Sequence, residues 1–148
     1  MRINFDMDGT IANLYGFNNW LECLQNEEVT PYKEAKPLIN MNVLARYLNR
    51  LHNKGFEIAV ITWGAKFATE EYNNNVQIAK EKWLRKHLKT VQFDEIIFLP
   101  YGTPKEEYKR NECDILFDDE ELNRINWKDN AFDEKNILEI LKNLLTIA

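Results

Sequence analysis

Cysteine and histidine are scarce in this chain, with two of each among 148 residues. Cys23 and Cys113 lie far apart, without a CxxC pair or a Cys/His spacing, so neither a disulfide framework nor a zinc site is indicated. Free thiols suit a reducing compartment, and the chain is expected to be cytoplasmic. An excess of positive charge is also missing: the formal net charge of −5 removes the strongly basic footprint of a stable nucleic-acid binder. No apolar run approaches the roughly 18 residues of a membrane span. The opening MRINFDMDGT sets carboxylates where the apolar core of a signal peptide would have to lie. There is no internal repeat, low-complexity tract or interdomain linker. What is present is ordinary globular composition, 45% hydrophobic and 29% charged, which fits a single domain over residues 1–148.

Apolar periodicity divides the chain into alternating elements. Ile3 and Phe5 start a strand that ends at Asp6, where Gly9 turns the backbone. Leu14, Phe17, Trp20, Leu21 and Leu24 recur at helical spacing, predicting a helix from Leu14 to Leu24, and residues 26–40 read as irregular connection. A helix over 42–53 carries Leu44, Leu48 and Leu51 on one face and stops before Gly55. The run FEIAVIT, 56–62, is a strand, and Tyr72, Val76, Ala79 and Trp83 mark a long helix over 69–87. Residues 96–99 make a third strand, a helix opens near Pro104, DILFDD is a fourth strand, and 137–147 is a final amphipathic helix. Strands alternating with helices predict an α/β fold: a Rossmann-like parallel sheet sandwiched by helices. Ligands of such sheets bind beyond the carboxyl ends of the strands.

Those ends carry the chemistry. The four predicted strands stop at Asp6, at Thr62, at Pro100 with Tyr101-Gly102 behind it, and at Asp118-Asp119. Asp-x-Asp-Gly is by itself a common turn composition. A calcium loop fails, because the twelfth residue counted from Asp6 is Phe17 where a glutamate is needed. Two acidic pairs converging on one crevice would repel one another unless a cation sat between them. Magnesium suits such a site, since it accepts a few carboxylate oxygens and keeps waters and a substrate phosphate.

FDMDGT, a strand ending in Thr62, a lysine after the third strand and LFDDE after the fourth together resemble, in that order, the four motifs of the haloacid dehalogenase (HAD) superfamily of phosphohydrolases. The resemblance implies that Asp6 is a nucleophile forming an aspartyl-phosphate, and that Asp8 is the acid and then the base of the two half-reactions. It implies a phosphate contact from the Thr62 hydroxyl, with the amides of Trp63 and Gly64 nearby. It calls for a lysine to balance the phosphoryl charge, which Lys105 and Lys109 could each supply; Lys105 lies nearer the strand tips. Mg²⁺ would be held by Asp6, the backbone carbonyl of Asp8 and Asp119, with Asp118 beside them.

The interval of residues 14–40 leaves room for a small helical lid. Phe17, Trp20 and Leu24 share a face that either packs on the core or, with Tyr15 or Tyr32, offers a platform for a nucleobase. The size and the DMDGTIA opening resemble the small 5'(3')-deoxyribonucleotidases of the superfamily, of bacterial or phage type. That likeness implies a small phosphorylated substrate, a nucleoside 5'-monophosphate. The cluster Lys80, Lys82, Arg85, Lys86, His87 and Lys89 reads as the solvated face of its helix, or as a guide for a polyanion. Two other readings stay open: a phosphatase of nucleic-acid ends or phosphoproteins, and a non-catalytic domain that binds a phosphorylated ligand or a partner.

Overall fold

The computed structural model describes residues 1–147. Its centre is a sheet of five strands: β1 (Arg2–Phe5), β4 (Glu57–Trp63), β5 (Glu95–Leu99), β6 (Ile115–Phe117) and β7 (Ala131–Phe132), arranged β5-β4-β1-β6-β7. Every neighbouring pair is parallel, as the alternating pattern requires. A separate two-stranded ribbon joins β2 (Ala12–Asn13) to β3 (Lys36–Pro37).

Register and the two-residue period sort the core. Phe5 lies between Val60 and Phe117, and Ile3 between Ile58 and Ile115, so these six side chains share one face. That face packs on α3 (Met41–Asn53), the end of α4 (Glu70–His87) and α6 (Ile137–Ile147) through Leu44, Leu48, Trp83 and Leu141. Truncating one such leucine to alanine costs about 2–5 kcal/mol. The opposite face is thinner: Ile61, Leu99 and Leu116 meet Trp127 of α5 (Glu121–Trp127).

Both long helices are capped as their sequences suggest. The Asn40 side chain accepts from the Val43 amide and the Thr69 hydroxyl from the Tyr72 amide. Gly55, at φ 97°, takes the left-handed turn that ends α3.

The structure departs from the predicted elements in four places. The first helix, α1, spans only Trp20–Gln25, because Asn13 Oδ1 captures the Gly16 amide in a turn and Asn19 sits at φ 61°. The supposedly irregular 26–40 segment contains α2 (Thr30–Glu34), whose Pro31 falls in the first turn, where a missing amide costs nothing. The helix expected after Pro104 is a single 3₁₀ turn, Lys105–Tyr108. Finally, α5 and β7 carry too little apolar periodicity to be seen. Leu122 and Ile125 face solvent, while Asn123 and Trp127 face inward. No helix among the described residues is long and apolar enough to cross a membrane.

Candidate active site

The strand order reverses at β1, whose neighbours β4 and β6 leave to opposite sides, so a crevice opens beyond its carboxyl end. Asp6, the first residue past β1, is pinned there by its amide, which donates to the Phe117 carbonyl at 2.9 Å. Its two carboxylate oxygens are divided. Oδ1 accepts from Lys105 Nζ at 2.9 Å and Oδ2 from the Thr10 hydroxyl at 2.9 Å. The same hydroxyl lies 3.1 Å from Asp119 Oδ1 and accepts the Asp119 amide at 3.1 Å, so Thr10 ties the first loop to the last acidic pair. Gly9 makes this approach possible: at φ 81°, a Cβ there would collide with the Asp119 carboxylate and crowd the Tyr15 ring.

Asp6, Asp118 and Asp119 each offer an oxygen within 4.8 Å of the others. Asp118 is fully buried; its Oδ2 accepts from Lys105 Nζ at 2.8 Å and from Asn123 Nδ2 at 3.1 Å, and its Oδ1 from the Glu120 amide at 2.9 Å. Lys105, 1% exposed, thus bridges Asp6 and Asp118. Lys109 lies elsewhere, donating to the carbonyls of Trp127 and Asp129. Of the two candidate lysines, only Lys105 reaches the acidic cluster.

Protonation follows from this packing. Burial pushes the Asp6 carboxyl up, but the Lys105 charge and hydrogen bonds from Asp119, Lys105 and Thr10 outweigh it and hold Asp6 below the usual carboxylate range. Burial first, and the Asp6 charge second, raise Asp118 to about 6 and Asp119 to about 8. Asp119 is thereby biased toward its protonated form beside the ionised Asp6. Three hard oxygen donors whose mutual repulsion is relieved only by a proton or a cation fit a magnesium ion. Asp119 is the member of the trio with the greatest exposure and is the readiest to exchange its proton for metal.

Asp8 stands apart from that trio. Its Oδ2 pairs with Lys80 Nζ at 2.8 Å, and burial raises its carboxyl despite this partner. Lys80 was expected on the solvated face of α4. Instead it is 0% exposed, within the buried stripe that holds Val76, Ala79 and Trp83, and it also donates to Thr62 Oγ1 and the Trp63 carbonyl, both at 2.7 Å. The signal was available: Tyr72, Val76, Lys80 and Leu84 repeat every fourth residue, so one lysine occupies a core position. The other members of that basic cluster behave as expected: Lys82, Arg85, Lys86 and Lys89 are exposed, and His87 rests against Trp83 at 4.4 Å.

Thr62 ends the buried stretch of β4 beside Asp8 through their common lysine. Gly64 requires a correction. Its amide donates to the Leu99 carbonyl at 2.8 Å, so it is not a free donor for a phosphate, and the next amide, Ala65, is held by Asn73 Oδ1 at 2.8 Å. The place of Gly64 is explained by space, since a Cβ there would press on Asn73 at 2.9 Å. Trp63 contributes its carbonyl to Lys80 and its ring to the cavity wall. The indole donates to the Thr103 carbonyl at 2.9 Å and lies 5.1 Å below the Lys105 ammonium.

Over the acidic floor lies a cavity of about 680 Å³ with Asp6, Asp8, Lys105, Asp118 and Asp119 among its lining. Two aromatic pairs reach it from separate segments: Tyr15 and Trp20, edge to face at 5.0 Å, and Trp63 with Tyr101, tilted at 5.0 Å. Tyr32 also lines the cavity but is buried, beside the Lys80 ammonium at 5.2 Å. Residues missed by sequence reasoning are Lys80, Thr10 and Asn123. Thr10 belongs to the opening motif itself, whereas Asn123 lies on the helix that escaped notice.

An acidic, lysine-clamped crevice at the switch point of a parallel α/β sheet defines the class of fold and site. Comparison with known proteins agrees at the level of fold. The crystal structure of D,D-heptose 1,7-bisphosphate phosphatase from Burkholderia thailandensis superimposes with a TM-score of 0.59 over 98% of both chains, at 11% sequence identity. No protein-family model and no curated protein matches the chain.

Proposed function

We propose that this protein is a magnesium-dependent phosphomonoesterase of the HAD type that works through Asp6 and prefers a nucleoside 5'-monophosphate. The observation that carries the reading is the division of labour between two aspartates one residue apart. Asp6 is held ionised by Lys105 and Thr10, whereas the Asp8 carboxyl is raised and paired separately with Lys80. Two like groups driven apart in acidity can serve as nucleophile and as acid/base. The fold shared with a solved sugar bisphosphate phosphatase supports the same class of chemistry.

In this reading an oxygen of Asp6 attacks phosphorus as the ester P–O bond breaks, and Asp8 gives its proton to the departing oxygen. Asp8 then takes a proton from the water that hydrolyses the aspartyl-phosphate, which restores both residues. Lys105 and the Thr62 hydroxyl face the charge of the phosphoryl oxygens. Magnesium held by Asp6, Asp118 and Asp119, with the Asp8 carbonyl, would supply the charge neutralisation that lets a carboxylate approach a phosphate dianion. The aromatic pairs at the mouth suit a flat, base-bearing leaving group, which supports a nucleotide as substrate.

The test is phosphate release from p-nitrophenyl phosphate and a panel of ribo- and deoxyribonucleoside monophosphates, with magnesium and with chelator. Turnover that needs magnesium and falls on the order of 10³-fold or more in Asp6→Asn is expected. Equal turnover by the variant, or none by the wild type on any ester, overturns the reading.

A further inference from the structure

Lys80 has no place in the chemistry described so far, yet it is fully buried and paired with Asp8, which lines the crevice. It comes from the middle of α4, on the sheet face of Val60, whereas Lys105 comes from the 3₁₀ turn and meets Asp118, which follows the face of Leu116. An ammonium carries three donors and no acceptor. All three of its partners are present: Asp8 Oδ2 at 2.8 Å, Thr62 Oγ1 at 2.7 Å and the Trp63 carbonyl at 2.7 Å.

Each bond restricts what its partner can do next. Because Thr62 Oγ1 accepts from Lys80, its own O–H is left to donate to another acceptor. Because Asp8 Oδ2 is occupied by Lys80, Oδ1 is the oxygen left to exchange a proton with a bound ester or water. The Trp63 carbonyl holds the backbone where β4 leaves the sheet, next to the indole that lines the cavity. Tyr32, from α2, closes over the ammonium at 5.2 Å, so the lid segment rests on this same joint.

We propose that Lys80 is a positioning residue for the phosphatase reaction: it presents Asp8 Oδ1 to the leaving group and fixes the Thr62 hydroxyl as a donor to the phosphoryl group. This rests on the phosphomonoesterase reading. A merely structural lysine would, when removed, lower activity equally on every ester, through the fraction folded. A lysine that aims the proton donor must matter most where the leaving oxygen most needs a proton.

The experiment compares Lys80→Met with the wild type, at saturating magnesium, on p-nitrophenyl phosphate and on a nucleoside monophosphate, whose alkoxide is a far poorer leaving group. The expected loss in kcat is about tenfold on the nitrophenyl ester and on the order of 10²-fold or more on the nucleotide, with KM changed little. In an Asp8→Asn background the difference between the two esters should vanish, because Lys80 acts through Asp8. Lys80→Arg keeps charge and donors, so it should fold even where the methionine variant does not, and show a smaller loss of the same kind. Equal losses on both esters, or a leaving-group effect that survives in Asp8→Asn, would overturn the proposal while leaving the phosphatase reading intact. A wild type without Asp6-dependent turnover would overturn both.

Discussion

At the floor of the crevice, Lys80 and Lys105 are almost wholly buried and the Asp6 and Asp118 carboxylates are shared among several donors. At its mouth, Tyr15 and Tyr101 are about half exposed and Phe67 is 96% exposed at φ 55°, beside the Lys66 ammonium. The floor is built to resist rearrangement, because any partner removed strands a charge in a poorly solvated place. The mouth has no such constraint, and its rings can meet ligands of differing shape. The charged floor and the aromatic mouth thus draw on different residues: the first on the strand tips, α4 and the 3₁₀ turn, the second on Tyr15, Phe67 and Tyr101 in loops with Trp20 of α1 and Trp63 at the end of β4.

That contrast can be broken most severely at Lys105. Lys105→Met leaves Asp6 and Asp118 facing each other without a cation, and should lower unfolding free energy by about 3–5 kcal/mol in urea titrations at neutral pH. Lys109→Met, which loses bonds to two carbonyls and a contact with the Trp127 ring, should cost about 1–2 kcal/mol. Equal costs would contradict the distinction drawn between the two lysines.

Changes at the mouth should act on affinity alone. Trp20→Ala or Tyr101→Ala should raise KM for nucleoside monophosphates about tenfold, the worth of one stacked base. Inhibition by inorganic phosphate, which meets only the floor, should stay as in the wild type. A kcat that fell in step with affinity would mean that the rings also order the floor.

The smallest effect expected is a dependence on pH. With the folded Asp119 carboxyl at about 8 against an ordinary 3.8, the folded chain binds the extra proton between those values. Without metal, stability contributed by this group therefore falls as pH rises from about 4 to about 8, and Asp118, at about 6, adds to the fall over the lower half. The lowered Asp6 works the other way, at the acid end. On the proposed reading magnesium replaces the proton, so its gain in Tm should be greater at pH 8 than at pH 6, by on the order of a few degrees. Equal gains at both pH values would argue against a cation among these carboxylates.

Much of this was legible because the parallel-sheet pattern assigns meaning to strand tips. Asp6, Thr62, Asp118 and Asp119 were found from where hydrophobic runs stop, and the order of elements was enough to favour Lys105. Lys80 was hidden by its company, since Lys82, Arg85 and Lys86 around it are exposed and a count of charges cannot tell which one turns inward. Its four-residue spacing from Val76 could tell, because a long methylene stem packs like an apolar residue while the head finds partners beyond it. Gly64 was misread because a parallel ladder that continues one residue past the strand consumes the amide a phosphate would need. The helix α5 was missed because its apolar side chains point the wrong way for periodicity to register.

The strand β1 lies between β4 and β6, yet precedes both in the chain. A nascent polypeptide therefore exposes its Asp6 tip long before the partners at Lys105 and Asp118 have left the ribosome. Until residues 115–119 arrive, the middle strand lacks one edge and the acidic trio is incomplete. The acidic cluster is thus completed only late in synthesis, when Asp118 and Asp119 join Asp6.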